Sequence, residues 1–398
     1  MVVLGGGPAG SSIAALLAAQ GRDVLLLDRA RFPRPKVCSE YTSPAALDVL
    51  DALGARAAYE AAAPSRLVGT DVYTPSGRTF RIQYVHGGER KHALAMSRDR
   101  LDALLLDNAR SSGVEVREGE RGGGLLMDGD EVHGVLLSRP GEADVAIEAR
   151  LVVGADGLHS VVGRDVGVRS LTRLPRRLGL VAHYQGVEHA EPVCQMHVRP
   201  WGYCGIAPLS GGVSSVGMAL DMNRYRGVAR GPGGIFDEAL GTMFPELSAM
   251  LRGGQRRGPV RGIGPIAHRA SRVHGAGWAL VGDAAGYLDP FTGEGIYRAL
   301  RGGQLLAAAA DDALRAGGSI TAQSLAPYSR ARRDVFGPKS LVVLGVQACV
   351  SYPRLLEYVA PRLRDRHPAR RLLSAVLGDY ADARRALSPA FVFELLRP

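Results

Sequence analysis

Val2-Val3-Leu4-Gly5-Gly6-Gly7-Pro8-Ala9-Gly10 gives a short apolar run, a glycine turn and the mouth of a helix, and Asp23-Val24-Leu25-Leu26-Leu27-Asp28 supplies the strand that follows. Strand, glycine turn, helix and strand in that order make one βαβ unit, which closes as a right-handed parallel crossover. Gly5, Gly7 and Gly10 fit G-x-G-x-x-G directly after a strand and ahead of a helix that runs to Gln20 and stops at Gly21. Gly5 permits the tight turn, Gly7 lets the backbone approach a diphosphate, and Gly10 lets helix and strand pack closely. The diphosphate charge then rests on free N–H groups at the helix N-terminus, beside Pro8 and Ala9. Asp28 ends the second strand, where it can accept hydrogen bonds from ribose hydroxyls, and Arg29 and Arg34 follow it as further binding candidates.

Working outward, Ser43 to Leu53 and Arg98 to Ser111 read as helices, and Asp71–Thr74 and Arg78–Ile82 flank a Pro-Ser-Gly turn as a hairpin. Gly113–Val116 and Leu151–Gly154 add buried strands, so the first 170 residues alternate elements as an α/β layer does. Between about Leu178 and Met222 the pattern changes to period two, which predicts antiparallel sheet, and Ile235 to Leu251 is helical around Pro245. The α/β pattern returns at Trp278–Asp283, making the first lobe discontinuous and the sheet lobe an insertion. The expected division is residues 1–60, 93–177 and 262–330 for dinucleotide binding, 61–92 and 178–261 for substrate binding, and 331–398 as an Arg-rich helical segment broken by prolines. The fold class is α/β, α+β overall: a Rossmann-like domain with an inserted antiparallel sheet and a C-terminal helical segment.

Two more motifs identify the dinucleotide. Val153-Gly154-Ala155-Asp156-Gly157-Leu158-His159-Ser160, with Arg164, resembles the Asp-Gly segment of the p-hydroxybenzoate hydroxylase superfamily. Ala279–Gly286, continuing through Asp289-Pro290-Phe291-Thr292-Gly293-Glu294-Gly295-Ile296, resembles its Gly-Asp segment. The resemblance implies FAD, with Gly282 and Asp283 at the ribityl chain, Asp156 and Gly157 where flavin and reductant meet, and Arg98 near the flavin tail. Gly293 and Gly295 open a helix whose positive end can face the ring where reduced flavin gathers negative charge, and Pro290 fixes the loop beside it. A single dinucleotide fold implies that NAD(P)H serves as a transient reductant.

Arg31–Glu40 is similar to the segment of geranylgeranyl reductases that carries an active-site cysteine followed by Gly-Gly or Gly-Glu; Ser39 stands here for the first glycine. Cys38 is therefore either a catalytic group beside the flavin or an inert, half-buried thiol. Trp201–Leu209 corresponds to the strand over the flavin, keeping Tyr203 and Pro208 but placing Gly205 and Ala207 where halogenases and prenyl reductases carry bulk, which leaves space for a bulky substrate. Lys91, the lysine nearest the region a halogenase requires, reads as a solvated loop residue, and His159, His183 and His197 read as structural. Catalytic candidates are Cys38, Tyr203 and Pro290. The first expected reaction is NAD(P)H-dependent monooxygenation of an apolar small molecule; the alternative is reduction of an isolated C=C bond with Cys38 near the reacting carbon. Halogenation and a non-catalytic flavoprotein rank lower.

Composition bounds the rest. A chain of 398 residues exceeds one compact core, and its net charge of +10 comes almost wholly from arginine, with Lys36, Lys91 and Lys339 the only lysines. The arginines are scattered without interleaved aromatics, which argues against nucleic acid. Cys38, Cys194, Cys204 and Cys349 have no metal-ligand spacing and suit a reducing, cytoplasmic setting. No secretory leader is legible, and Leu341–Val350 is far short of the roughly 20 apolar residues of a bilayer span. Peripheral contact with a membrane or a carrier protein stays open.

Overall fold

The computed structural model describes residues 1–138, 141, 143–171, 176–225 and 230–397. A six-stranded sheet runs in the order Glu115–Glu118, Leu25–Asp28 (β2), Val2–Leu4 (β1), Val152–Gly154, Trp278–Leu280 and His274–Gly275, parallel except at the last pairing. Its strands read as unbroken apolar runs because both faces are covered. Val3, Leu26, Val153 and Ala279 pack on helices, and Val2, Leu4, Leu27 and Leu280 pack on Val132, Val135 and Leu137 of a three-stranded antiparallel meander, 121–148. That meander departs from the expected α/β alternation: one cover of the sheet is itself a sheet.

The helix Pro8–Ala19 (α1) leaves β1 through Gly5 at φ +104°. A Cβ on Gly10 would stand 1.8 Å from the Gly5 carbonyl oxygen, a separation that only glycine permits. The helix Gly295–Arg315 packs alongside α1, again with small residues at the contact: a Cβ on Gly303 would lie 2.9 Å from that of Ser12.

The second large sheet has seven strands, in the order Gln255–Ile263, Arg177–Gln185, Val213–Asp221, Gly202–Pro208, Cys194–Arg199, Thr70–Tyr73 and Thr79–Ile82. Its pairings are antiparallel except Cys194–Arg199 with Thr70–Tyr73, which is parallel and joins the predicted hairpin to the sheet. Helices Gly231–Met243 and Pro245–Leu251 cover one face, divided at Pro245 because its ring cannot continue the first helix.

Four helices follow: Ala326–Ser351, Pro353–Asp365, His367–Leu377 and Pro389–Leu396. Prolines sit in the first turn of each, where no N–H is required, so the breaks fall at Pro353, Pro368 and Pro389 as the sequence suggests; Pro338 and Pro361 instead lie inside helices. The buried ammonium of Lys339 donates to Val376 O and Asp379 Oδ1, both at 2.6 Å, and stands 3.6 Å from Glu294 at the cap of Gly295–Arg315. Among the described residues no single helix is long and apolar enough to cross a membrane.

Candidate active site

One cavity of about 770 Å³ draws its walls from both large sheets. Gly5, Gly7, Pro8, Ala9, Asp28, Arg29, Arg34, Cys38, Arg98, Asp156, Gly157, Tyr203, Asp283, Pro290, Gly293, Gly295 and Ile296 all line it. Gly10 and Gly282 stand behind the wall instead: Gly10 lies under Gly5, and a Cβ on Gly282 would come 2.8 Å from that of Ala9, so their small size serves packing.

At the glycine turn, Asp28 Oδ2 accepts the Gly6 N–H and Oδ1 the Ala30 N–H, each at 2.8 Å, which holds the carboxylate at the cavity edge with lone pairs to spare. Arg98 grips fully buried Asp102 through Nε and Nη2, both 2.8 Å, and Arg34 Nη1 reaches the same carboxylate at 3.1 Å. Arg34 Nη2 also stands 3.6 Å from Asp28 Oδ2, so the two guanidinium groups share two carboxylates, and a Cβ on Gly7 would meet nothing but their ends, Arg34 at 3.6 Å and Arg98 at 4.0 Å. Open room with a cationic rim suits a diphosphate. Asp156 Oδ2 accepts the Val161 N–H at 2.6 Å, while Asp156 Oδ1 and Thr292 Oγ1 are buried without a partner in the protein. Proteins seldom leave such atoms unpaired, so the wall fits a polar, ring-bearing ligand like FAD. Burial pushes the Asp156 carboxyl up from the usual range.

Two residues of this end escaped the sequence reading. Asp102 locks both arginines, and Lys36 reaches into the cavity, its Nζ 3.4 Å from where a Gly157 Cβ would sit. Burial lowers the Lys36 ammonium, with Asp283 opposing. The signal was present: a lysine in a chain that uses arginine almost everywhere.

The far end of the cavity is apolar, walled by Tyr41, Val72, Ile82, Met196, Ala207 and Phe291. Cys38-Ser39-Glu40 forms a turn in which the Glu40 N–H donates to Cys38 Sγ at 3.2 Å. Glu40, not Ser39, takes the left-handed conformation (φ +63°), so a serine at 39 carries no backbone strain. Glu40 is buried; its Oε1 accepts the Arg98 N–H at 3.1 Å and its Oε2 meets His183 Nε2 at 2.8 Å. That contact raises the His183 imidazole. Burial likewise raises the Cys38 thiol, against the pull of Arg98, so it keeps its proton.

Tyr203 donates its hydroxyl to Asp289 Oδ1 at 2.5 Å within a buried group that includes Arg177 and Gln347, and its ring meets Phe291 edge to face at 5.0 Å. The hydroxyl is thus committed to structure. Gly205 and Ala207 both line the cavity, and Met196, the cross-strand partner of Gly205, takes up part of the space at 205, its Sδ 2.7 Å from where a Cβ would stand. Lys91 pairs with Glu89 at 2.7 Å and is not on the cavity wall. His197 stacks on Tyr73 at 4.3 Å.

A dinucleotide slot at one end of a cavity and an apolar wall at the other define a flavoprotein oxidoreductase. An FAD binding domain family model matches residues 1–337, and the chain belongs to that family: it is an FAD-dependent oxidoreductase. It is 29% identical over 359 residues to a digeranylgeranylglycerophospholipid reductase of Methanosarcina mazei, covering 88% of this chain and 84% of that protein. A tryptophan 2-halogenase of Chondromyces crocatus is 26% identical over 362 residues, covering 86% and 66%. In fold it matches a flavin-dependent brominase (TM-score 0.82, 23% identity) and a geranylgeranyl bacteriochlorophyll reductase-like protein of Thermoplasma acidophilum (TM-score 0.76, 22% identity), each covering 97% of both chains.

Proposed function

We propose that the protein reduces an isolated C=C bond in an apolar, isoprenoid-like substrate, using NAD(P)H as a transient reductant. Of the two reactions anticipated from sequence, the similarity to the Methanosarcina reductase favours this one over monooxygenation. The observation that carries it is the Cys38 turn, which stands in the same cavity as both the FAD-binding residues and the apolar wall. Bound FAD supplies the hydride. The protein holds the alkene against Tyr41, Val72, Ile82 and Met196, excludes water, and keeps a proton on the Cys38 thiol for the second carbon. The hydride and the proton form two C–H bonds as the π bond is lost; the proton is restored through solvent. Four free thiols suit a reducing, cytoplasmic setting.

The test is mass spectrometry of geranylgeraniol incubated anaerobically with FAD-loaded, photoreduced enzyme. A product heavier by two hydrogens per reduced bond, lost or strongly slowed in Cys38→Ala, is expected. Incorporation of labelled oxygen under ¹⁸O₂, with no anaerobic product, would instead establish monooxygenation.

A further inference from the structure

The charge of this chain is concentrated at its end: residues 326–397 carry thirteen basic side chains against six acidic ones. A second cavity, of about 240 Å³, lies within that region and is lined by Gln83, Val85, His367, Arg370, Arg371 and Ser374. No acidic side chain is among them. Ser374 is 1% exposed and its Oγ is buried without a hydrogen-bond partner, an unmet polar group on a cationic wall. Arg370 Nη1 donates to Arg364 O at 3.1 Å and its Nη2 to His367 Nδ1 at 2.7 Å, which sets the guanidinium in place and leaves Nε2–H of that ring as a donor. Arg371 has no ion-pair partner among the described residues.

This cavity adjoins the apolar one. Where Thr79–Ile82 passes into Tyr84–His86, Ile82 and Tyr84 line the main cavity while Gln83 and Val85 line the smaller, as side-chain alternation along extended backbone places them. On the helix His367–Leu377, Ser374 serves the small cavity and Leu377, one turn on, the large. We propose that the small cavity is a phosphate-ester site, holding the phosphate of a molecule whose apolar chain reaches the neighbouring wall. Paired guanidinium groups match phosphate oxygens, and the serine hydroxyl gains the partner it lacks. The assignment rests on the reductase reading for the nature of the chain, but not for the phosphate.

Titration calorimetry on the full-length, FAD-loaded protein with geranylgeranyl phosphate, geranylgeraniol and inorganic phosphate tests it. Wild type is expected to bind the phosphate ester about tenfold more tightly than the alcohol. Arg370→Gln/Arg371→Gln should erase that preference while alcohol affinity and FAD content stay unchanged, and Ser374→Ala should weaken ester binding about threefold. Competition by inorganic phosphate would mark the site as open to free phosphate; loss of preference without such competition would mark it as a headgroup site. Equal affinity of wild type for ester and alcohol, or a double variant that keeps the preference, overturns the proposal. Because binding is read without turnover, a protein that prefers the ester yet reduces no C=C bond upholds this site and sinks the reductase reading, whereas reduction of the alcohol without any preference does the reverse.

Discussion

A methyl group added at Gly10 would come 1.8 Å from the Gly5 carbonyl oxygen, whereas one added at Gly7 meets only guanidinium ends 3.6 and 4.0 Å away. The two glycines of one motif should therefore fail differently. Gly7→Val is expected to fold with a melting temperature near that of wild type but to purify with little FAD, since its side chain fills the room over the turn. Gly10→Ala should push α1 off β1 and cost about 3 kcal/mol, seen as a lowered melting temperature or insolubility. Absorbance at flavin wavelengths against protein, with a thermal melt, separates the cases; a fully loaded Gly7→Val protein would mean the slot is misassigned. The glycines were legible because their spacing is local. Asp102 and Glu40 were not, because their meaning arises from partners such as Arg34 and His183, far away along the chain.

At the scale of elements, the Cys38-Ser39-Glu40 turn is tied to the seven-stranded sheet through His183, on Arg177–Gln185. The imidazole is raised by its hydrogen bond to Glu40. Its contribution to stability is thus fully present below the unfolded value near 6.5 and is lost as pH climbs through the raised value. His197 has the opposite sign: burial lowers it to about 4, so its contribution holds above 6.5 and is lost as pH falls toward 4. In chemical denaturation, His183→Gln should destabilise by about 1 kcal/mol at pH 6, with the gap narrowing by pH 9. A gap that does not change with pH would remove the ion pair from the account. Strand alternation in this sheet was readable; the partial filling of the Gly205 space by Met196 was not, because it depends on register between strands rather than on either strand alone.

At the scale of the molecule, the C-terminal helices are fastened to the flavin-side helix by Lys339, Asp379 and Glu294. Lys339→Met leaves buried Asp379 without its cation, while Glu294 keeps Arg298 at 2.9 Å, and should cost about 3 kcal/mol, with tryptic cleavage of the 326–397 segment preceding that of the remainder. Uniform cleavage, with wild-type stability, would show that apolar packing alone holds the segment. The α/β sheet and the inserted antiparallel sheet were visible in hydrophobic periodicity. The meander built from Arg121–Asp128, Glu131–Ser138 and Val145–Glu148 was missed because its glycines and two register shifts blur that signal, and its role emerges only when Val132 and Leu137 meet the sheet from outside.

The glycine turn and the greasy wall open onto a single chamber, with no partition of protein between them. A flavin held at the glycine turn would then share that chamber with a hydrocarbon guest, each forming part of the other's wall. By thermodynamic reciprocity, whatever factor one occupant adds to the other's grip, it receives back in equal measure.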